Sequence, residues 1–127
     1  MTRKRVLVVD DLTPVVAALL RESFNVVGMV SDGQAALEST LKLSPDLIVL
    51  ATSMPGMSGI EVAQELKRRG NKAKIVFLTD HEGSDILTTA LAAGGQGYVA
   101  KVLMDTDLIP AINEAFAGRV FVSRLSS

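Results

Sequence analysis

Cysteine is absent from the 127 residues, which excludes disulfide bridges and cysteine-ligated metals and fits a reducing, cytoplasmic setting. Long apolar runs are absent as well. None approaches the ~20 residues needed to cross a bilayer, so no membrane association is expected. The chain passes straight into Arg5-Val-Leu-Val-Val9, without the layout of a signal peptide. There is no excess of positive charge either. Lys and Arg number 13 against 14 Asp and Glu, a formal net charge of −1. A domain that grips nucleic acid by itself needs clustered cations for the phosphate backbone, so direct nucleic-acid binding is not expected. The basic run Arg3-Lys4-Arg5 reads as a solvated flank before a buried strand. Only one histidine is present, His81, and one imidazole cannot build a typical zinc site.

What is present suits one globular domain spanning residues 1–127. Hydrophobic residues make up 48% and charged residues 21%, too apolar for a disordered chain. A domain of this size buries roughly two-thirds of its unfolded surface. Val6–Val9, Leu47–Leu50 and Ile75–Leu78 are short continuous apolar runs, the pattern of strands buried on both faces of a parallel sheet. Val26–Val30, interrupted by Gly28, and Gly97–Ala100 are weaker candidates.

Helical patterns alternate with these strands. Thr13-Pro14 is a start signal, followed by Val15, Val16, Leu19 and Leu20 at helical spacing. Gly33–Leu43 follows Asp32 as its cap, and Ser58-Gly-Ile-Glu61 has the form of a capping box. Ser84–Ala93 is stopped by Gly94-Gly95. Asp105 or Thr106 opens a fifth helix with Pro110 in about its first turn. Such alternation implies βαβ units with right-handed crossovers and a doubly wound, three-layer αβα sandwich. In that architecture the ligand site lies beyond the carboxyl ends of the strands.

The residues that follow each strand therefore matter most. Asp10 and Asp11 follow the first, Ala51, Thr52 and Ser53 the third, Thr79 the fourth and Lys101 the fifth. Two carboxylates, a hydroxyl and an ammonium converge on one sheet edge. Adjacent carboxylates repel unless a cation is near. Mg²⁺ suits one or two carboxylates, several waters and a phosphate ligand. Singly, each residue has a plainer reading: a turn and cap network for Asp10-Asp11, a strand-end hydroxyl for Thr79, and a salt bridge to the acidic pair for Lys101. Jointly, they suit an anion held between a metal and a lysine.

Five motifs carry a family resemblance: Val6-Leu-Val-Val-Asp10-Asp11, Pro45-Asp46-Leu-Ile-Val-Leu50, Ser53-Met-Pro-Gly-Met-Ser-Gly59, Ile75-Val-Phe-Leu-Thr79 and Gly97-Tyr-Val-Ala-Lys101. Over nearly its whole length the chain resembles the CheY-like receiver domains of two-component response regulators. Leu91-Ala-Ala-Gly94 and Ala117-Gly-Arg-Val-Phe-Val-Ser123 are similar to the NarL/LuxR-type subfamily. The resemblance implies a flavodoxin-like, five-stranded parallel sheet of order 2-1-3-4-5. It implies a signalling domain in a phosphorelay rather than an enzyme. Asp10 and Asp11 match the acidic pair that holds Mg²⁺, and the backbone carbonyl of Ser53 matches the third protein ligand. Thr79 and Tyr98 match the switch hydroxyl and switch aromatic, and Lys101 the lysine that contacts the phosphoryl group. Phosphorylation in the family draws threonine and lysine inward, and the aromatic follows. The implied partner is a sensor histidine kinase, docking near helix one and Val15. The resemblance also admits a homodimer, and a DNA-binding output domain that is absent from this chain.

The departures from the family pattern carry weight. The phosphoryl-accepting aspartate should follow Leu47–Leu50, and Ala51 stands there. A methyl group is neither nucleophile nor metal ligand, so phosphotransfer is blocked and Mg²⁺ binding weakened. Removing a carboxylate also relieves repulsion in the pocket. An introduced substitution or a natural loss would each place alanine there. Val102 follows Lys101 where many receivers have proline, and the segment between Asp11 and Val26 is short, so a brief helix one is expected. His81 reads as a solvated loop residue at the pocket rim; a role in pocket access is the alternative. A competing functional reading is a phosphorylation-independent pseudo-receiver that works as a protein-interaction module. A flavin binder fits poorly, because Asp10-Asp11-Leu12-Thr13-Pro14 is not the Ser-, Thr- and Gly-rich loop that a flavin phosphate needs. A small phosphatase of similar topology would have only Asp10 and Asp11 to offer as nucleophiles.

Overall fold

Period-two alternation along the central strands divides the core into two layers. The computed structural model describes residues 3–11, 13–80 and 84–124. Its strands are β1 (Arg5–Val9), β2 (Asn25–Val30), β3 (Leu47–Ala51), β4 (Lys74–Thr79), β5 (Gly97–Ala100) and β6 (Phe121–Val122). Its helices are α1 (Thr13–Leu20), α2 (Gly33–Leu43), α3 (Gly59–Arg68), α4 (Ser84–Ala92) and α5 (Met104–Phe116). Val6, Val8, Leu47, Val49, Val76, Leu78 and Val99 point to one face, where α1 and α5 cover them. Leu7, Val9, Ile48, Leu50, Ile75, Phe77 and Tyr98 point to the other, beneath α2, α3 and α4. Successive strand residues face opposite sides, so a strand covered on both must be apolar throughout. β3 meets that demand, with all five residues buried.

All strand pairs are parallel, in the order β2-β1-β3-β4-β5-β6. This is the expected five-stranded order with a short sixth strand added beside β5. The register between β1 and β2 shifts at Gly28, where Val6 pairs with Val26 but Leu7 with Gly28. A side chain at Gly28 would stand 3.0 Å from both Leu7 and Leu43, so glycine there lets α2 close over the sheet.

Helix starts follow the cap chemistry legible in the sequence. The Asp32 side chain accepts from the Ala35 N–H, and Ser58 with Glu61 completes a reciprocal capping box. Two helix limits differ from expectation. α4 ends at Ala92, one residue early. α5 begins at Met104 because a 3₁₀ turn over Lys101–Leu103 feeds directly into it. Pro110 consequently sits inside α5, in its second turn rather than its first. It is exposed, so water can satisfy the carbonyl that its missing N–H leaves open. α1 is brief, at 8 residues. His81, expected to be a solvated loop residue at the pocket rim, lies outside the described residues.

α3 is pinned against the site edge at Gly59. The Gly59 N–H donates to the Thr52 carbonyl at 3.1 Å. A Cβ at Gly59 would fall 1.8 Å from the Ala51 carbonyl oxygen, a clash with backbone that no rotamer relieves. Gly59→Ala should therefore destabilise the domain by about 3 kcal/mol, the upper range for overpacking. Urea unfolding followed by circular dichroism measures this; a loss under about 0.5 kcal/mol, the range of innocuous substitutions, would mean α3 is not pinned there.

Candidate functional site

Sheet register carries the candidate residues to one edge. Val9 of β1 pairs with Leu50 of β3, so Asp10 and Ala51 are each the next residue along. Ala51 pairs with Leu78, and Thr79 pairs with Ala100. Thr52 and Thr79 thus lie side by side, and Asp80 lies beside Lys101. The Thr52 hydroxyl donates to the Thr79 hydroxyl at 3.2 Å, and both residues are buried. The Ala51 methyl is buried at the end of β3, 1% exposed. Ser53 is exposed just beyond.

The electrostatic centre of this edge is the Lys101 ammonium. Its Nζ lies 2.7 Å from Asp10 Oδ1, 3.1 Å from Asp11 Oδ1 and 3.8 Å from Asp80 Oδ2. Asp10 is fully buried, whereas Asp11 and Asp80 stand at the rim. A buried carboxylate without a cation would be expensive. The hydrogen bond and then the positive charge of Lys101 hold the Asp11 carboxyl below its ordinary 3.8. For Lys101, burial pulls the ammonium pKa down, but hydrogen bonds to Asp10 and Asp11 outweigh it, leaving the pKa above 10.5.

The structure thus gathers Asp10, Asp11 and Lys101 into one ion cluster and sets Ala51 and Thr79 beside it. Sequence reasoning assigned no role to two further members, Asp80 and Thr52. Asp80 directly follows β4, so the strand-end rule that found Thr79 would have found it one residue later. Tyr98 sits apart. It packs in the α2, α3 and α4 layer, 6% exposed. Its hydroxyl is buried and has no hydrogen-bond partner among the described residues. Between α1 and the start of α5 lies an apolar groove of about 720 Å³, lined by Pro14, Val15, Ala18, Leu19, Lys101 and Met104. No helix among the described residues is long and apolar enough to cross a membrane.

A doubly wound parallel sheet with carboxylates, hydroxyls and a lysine at its carboxyl edge defines a flavodoxin-like domain built around a small charged pocket. Comparison with known proteins narrows this class. The chain belongs to the response regulator receiver domain family, whose sequence profile matches residues 6–113. It is 36% identical over 98 residues to the nitrate/nitrite response regulator protein NarL of Escherichia coli strain K12, covering 77% of this chain and 45% of that protein. It is 34% identical over 128 aligned positions to an uncharacterised transcriptional regulatory protein, YvfU, of Bacillus subtilis strain 168, covering 96% and 64%. The signal receiver domain of a NarL response regulator from Mycobacterium tuberculosis superposes with a TM-score of 0.84 at 31% identity, covering 94% of this chain and all of that one. The chain spans about half the length of these curated relatives, between 45% and 64%. It is a two-component receiver domain related to NarL/LuxR-type regulators.

Two outcomes follow from this geometry. Asp11 contributes stability that is present above pH 3.8 and lost as pH falls through its lowered value. Lys101 contributes stability that is fully present below pH 10.5 and lost as pH rises through its raised value. Lys101→Met should return the Asp11 midpoint toward 3.8, read by carboxyl ¹³C NMR titration; an unmoved midpoint would remove Lys101 as the cause. Separately, Tyr98→Phe deletes a buried hydroxyl without a partner and should raise stability by about 1 kcal/mol. Chemical denaturation checks that, and a loss of stability would mean the hydroxyl is satisfied.

Proposed function

We propose that the chain is the receiver of a response regulator in which Ala51 occupies the phosphoryl-acceptor position, so that it cannot be phosphorylated in this form. One observation carries the reading: the side chain that ends β3 beside Asp10 is a buried methyl group. Acyl phosphate formation needs a carboxylate oxygen to attack phosphorus, and residue 51 supplies none. The other roles follow from the same placement. Asp10, Asp11 and the Ser53 carbonyl form the cation-binding side of the pocket. Thr79 is the switch hydroxyl, Tyr98 the switch aromatic, and Lys101 the group that would meet a phosphoryl oxygen. The domain carries no enzymatic activity of its own and works through protein contacts in the cytoplasm.

The family's divalent cation, Mg²⁺, fits this pocket poorly. The third carboxylate is replaced by a methyl, and among the described residues no group of three or more His, Cys, Asp or Glu is arranged to hold a metal. Oδ1 of Asp10 and Oδ1 of Asp11 already meet the Lys101 ammonium. Mg²⁺ binding is accordingly weak.

The partner expected upstream is a sensor histidine kinase, meeting α1 near Val15, which is exposed at the apolar groove. Downstream, an output domain of the DNA-binding kind would read the α4, β5 and α5 face beside Tyr98, and a homodimer is a further arrangement of this domain. Residues 1–127 act as one receiver unit.

A second reading is favoured by Tyr98. Its ring is buried in a chain whose residue 51 offers no phosphoryl acceptor. This is the arrangement expected of a switched receiver, and it supports a phosphorylation-independent module held in one conformation.

Intact mass after incubation with acetyl phosphate and Mg²⁺ separates these readings. An adduct on Ala51→Asp and none on the parent chain is the expected result. Absence of an adduct on both would favour the phosphorylation-independent module. An adduct on the parent would overturn the assignment of Ala51 and point to Asp10 or Asp11.

A further inference from the structure

The formal charge of −1 averages two unlike ends of the sheet. Asp10, Asp11 and Asp80 follow strands, and Asp105 and Asp107 open α5, so these carboxylates gather at the carboxyl edge. The cations gather at the other. Arg3, Lys4 and Arg5 run into β1, Lys72 and Lys74 run into β4, and Arg21 follows α1. Register joins them in a row. Val6 pairs with Leu47 and Leu47 with Lys74, so Arg5 and Lys74 flank the start of β3, about 10 Å apart at two strand spacings. We propose that this amino edge binds the phosphate backbone of duplex nucleic acid without reading its sequence.

The row is not neutralised from within. None of Arg3, Lys4, Arg5, Arg21, Lys72 and Lys74 meets a carboxylate among the described residues. Of the acids at this edge, Asp46 accepts from the Arg5 backbone N–H at 2.8 Å, and Glu65 is held by Arg68 and Arg69. Cations in a last helical turn answer the helix dipole, but Arg3, Lys4, Arg5, Lys72 and Lys74 precede strands. Two guanidinium groups are already positioned. Arg3 donates to the Arg21 carbonyl at 2.7 Å, and Arg5 to the Ser44 carbonyl at 3.0 Å. Planar groups held in this way keep their charge and lose little freedom on meeting phosphate. Grooves of about 510 Å³ beside Arg3 and Arg21 and about 470 Å³ beside Arg69 and Lys72 lie along the edge. A row of this kind suits a linear polymer of phosphates. Phe24, Phe77 and Tyr98 are buried, and Phe116 and Phe121 pack against the core, so bases find no stacking platform and a duplex is favoured over a single strand. The acidic edge does not oppose the contact. It lies the length of β1 away, about 17 Å, roughly twice the screening length at physiological salt.

The test is fluorescence anisotropy of a short labelled DNA duplex of arbitrary sequence, titrated with the full chain across a range of salt. Affinity should fall about a hundredfold between about 50 and about 200 mM salt, the response of about four phosphate contacts. The double variants Arg3→Gln with Lys4→Gln, and Lys72→Gln with Lys74→Gln, should each lower affinity about tenfold or more at low salt and flatten the salt slope by about two. Arg124→Gln removes an exposed cation beyond the carboxyl end of β6 and should leave binding unchanged. Circular dichroism melting verifies that each variant is folded. No binding at low salt overturns the proposal, as does an equal loss in Arg124→Gln and the two double variants. A single strand that binds more tightly than the duplex overturns the assignment of the ligand. Binding to vesicles of anionic phospholipid but not to the duplex overturns it in favour of a membrane surface.

Discussion

The buried carboxylate of Asp10 is the constraint around which this edge of the molecule is organised. A charge removed from water must find an opposite charge nearby or forfeit its ionisation. Here the partner arrives from the far end of the chain, on the residue that directly follows β5. The parallel sheet makes the meeting unavoidable. β1 lies between β2 and β3, and β5 lies three strands away beyond β3 and β4. The Lys101 side chain, 12% exposed, brings its tip to the carboxylates at the end of β1.

Much of this was legible from residue order. Continuous apolar runs identified β1, β3 and β4 because both faces of those strands are covered, and only a fully apolar run survives there. The capping box at Ser58 and Glu61 was legible because its hydrogen bonds join residues three apart. The contacts that sequence did not convey are those set by register between strands. That Thr52 lies beside Thr79, and Asp80 beside Lys101, depends on how β3, β4 and β5 slide against one another. The position of Pro110 was misjudged for a related reason. The turn after β5 continues without a break into α5, and no cap residue marks the join.

The site itself divides in the same manner. Strand-end reasoning placed Asp10, Asp11, Thr79 and Lys101 on one edge, and family resemblance gave them roles. Neither could say which plainer reading survives folding. A salt bridge from Lys101 to the acidic pair was one such reading, and it is the arrangement that the structure contains. The plain contact and the functional placement therefore coexist in the same atoms. Tyr98 illustrates the opposite case. Its type and its place after Gly97 were evident, but its burial depends on the alternation that sends Tyr98 to one layer and Val99 to the other.

The short strand β6 has a consequence for how copies of this domain tolerate one another. β5 would otherwise present a row of unsatisfied backbone groups along the sheet margin, a ready template for a neighbouring molecule. The Phe121 N–H instead bonds the Gln96 carbonyl and the Ser123 N–H the Tyr98 carbonyl. The Ser123 hydroxyl accepts from the Ala100 N–H while donating to Asp107. A few residues after the last helix thus act as a hem on the sheet, leaving only a two-residue strand at that margin for a neighbouring molecule to pair with.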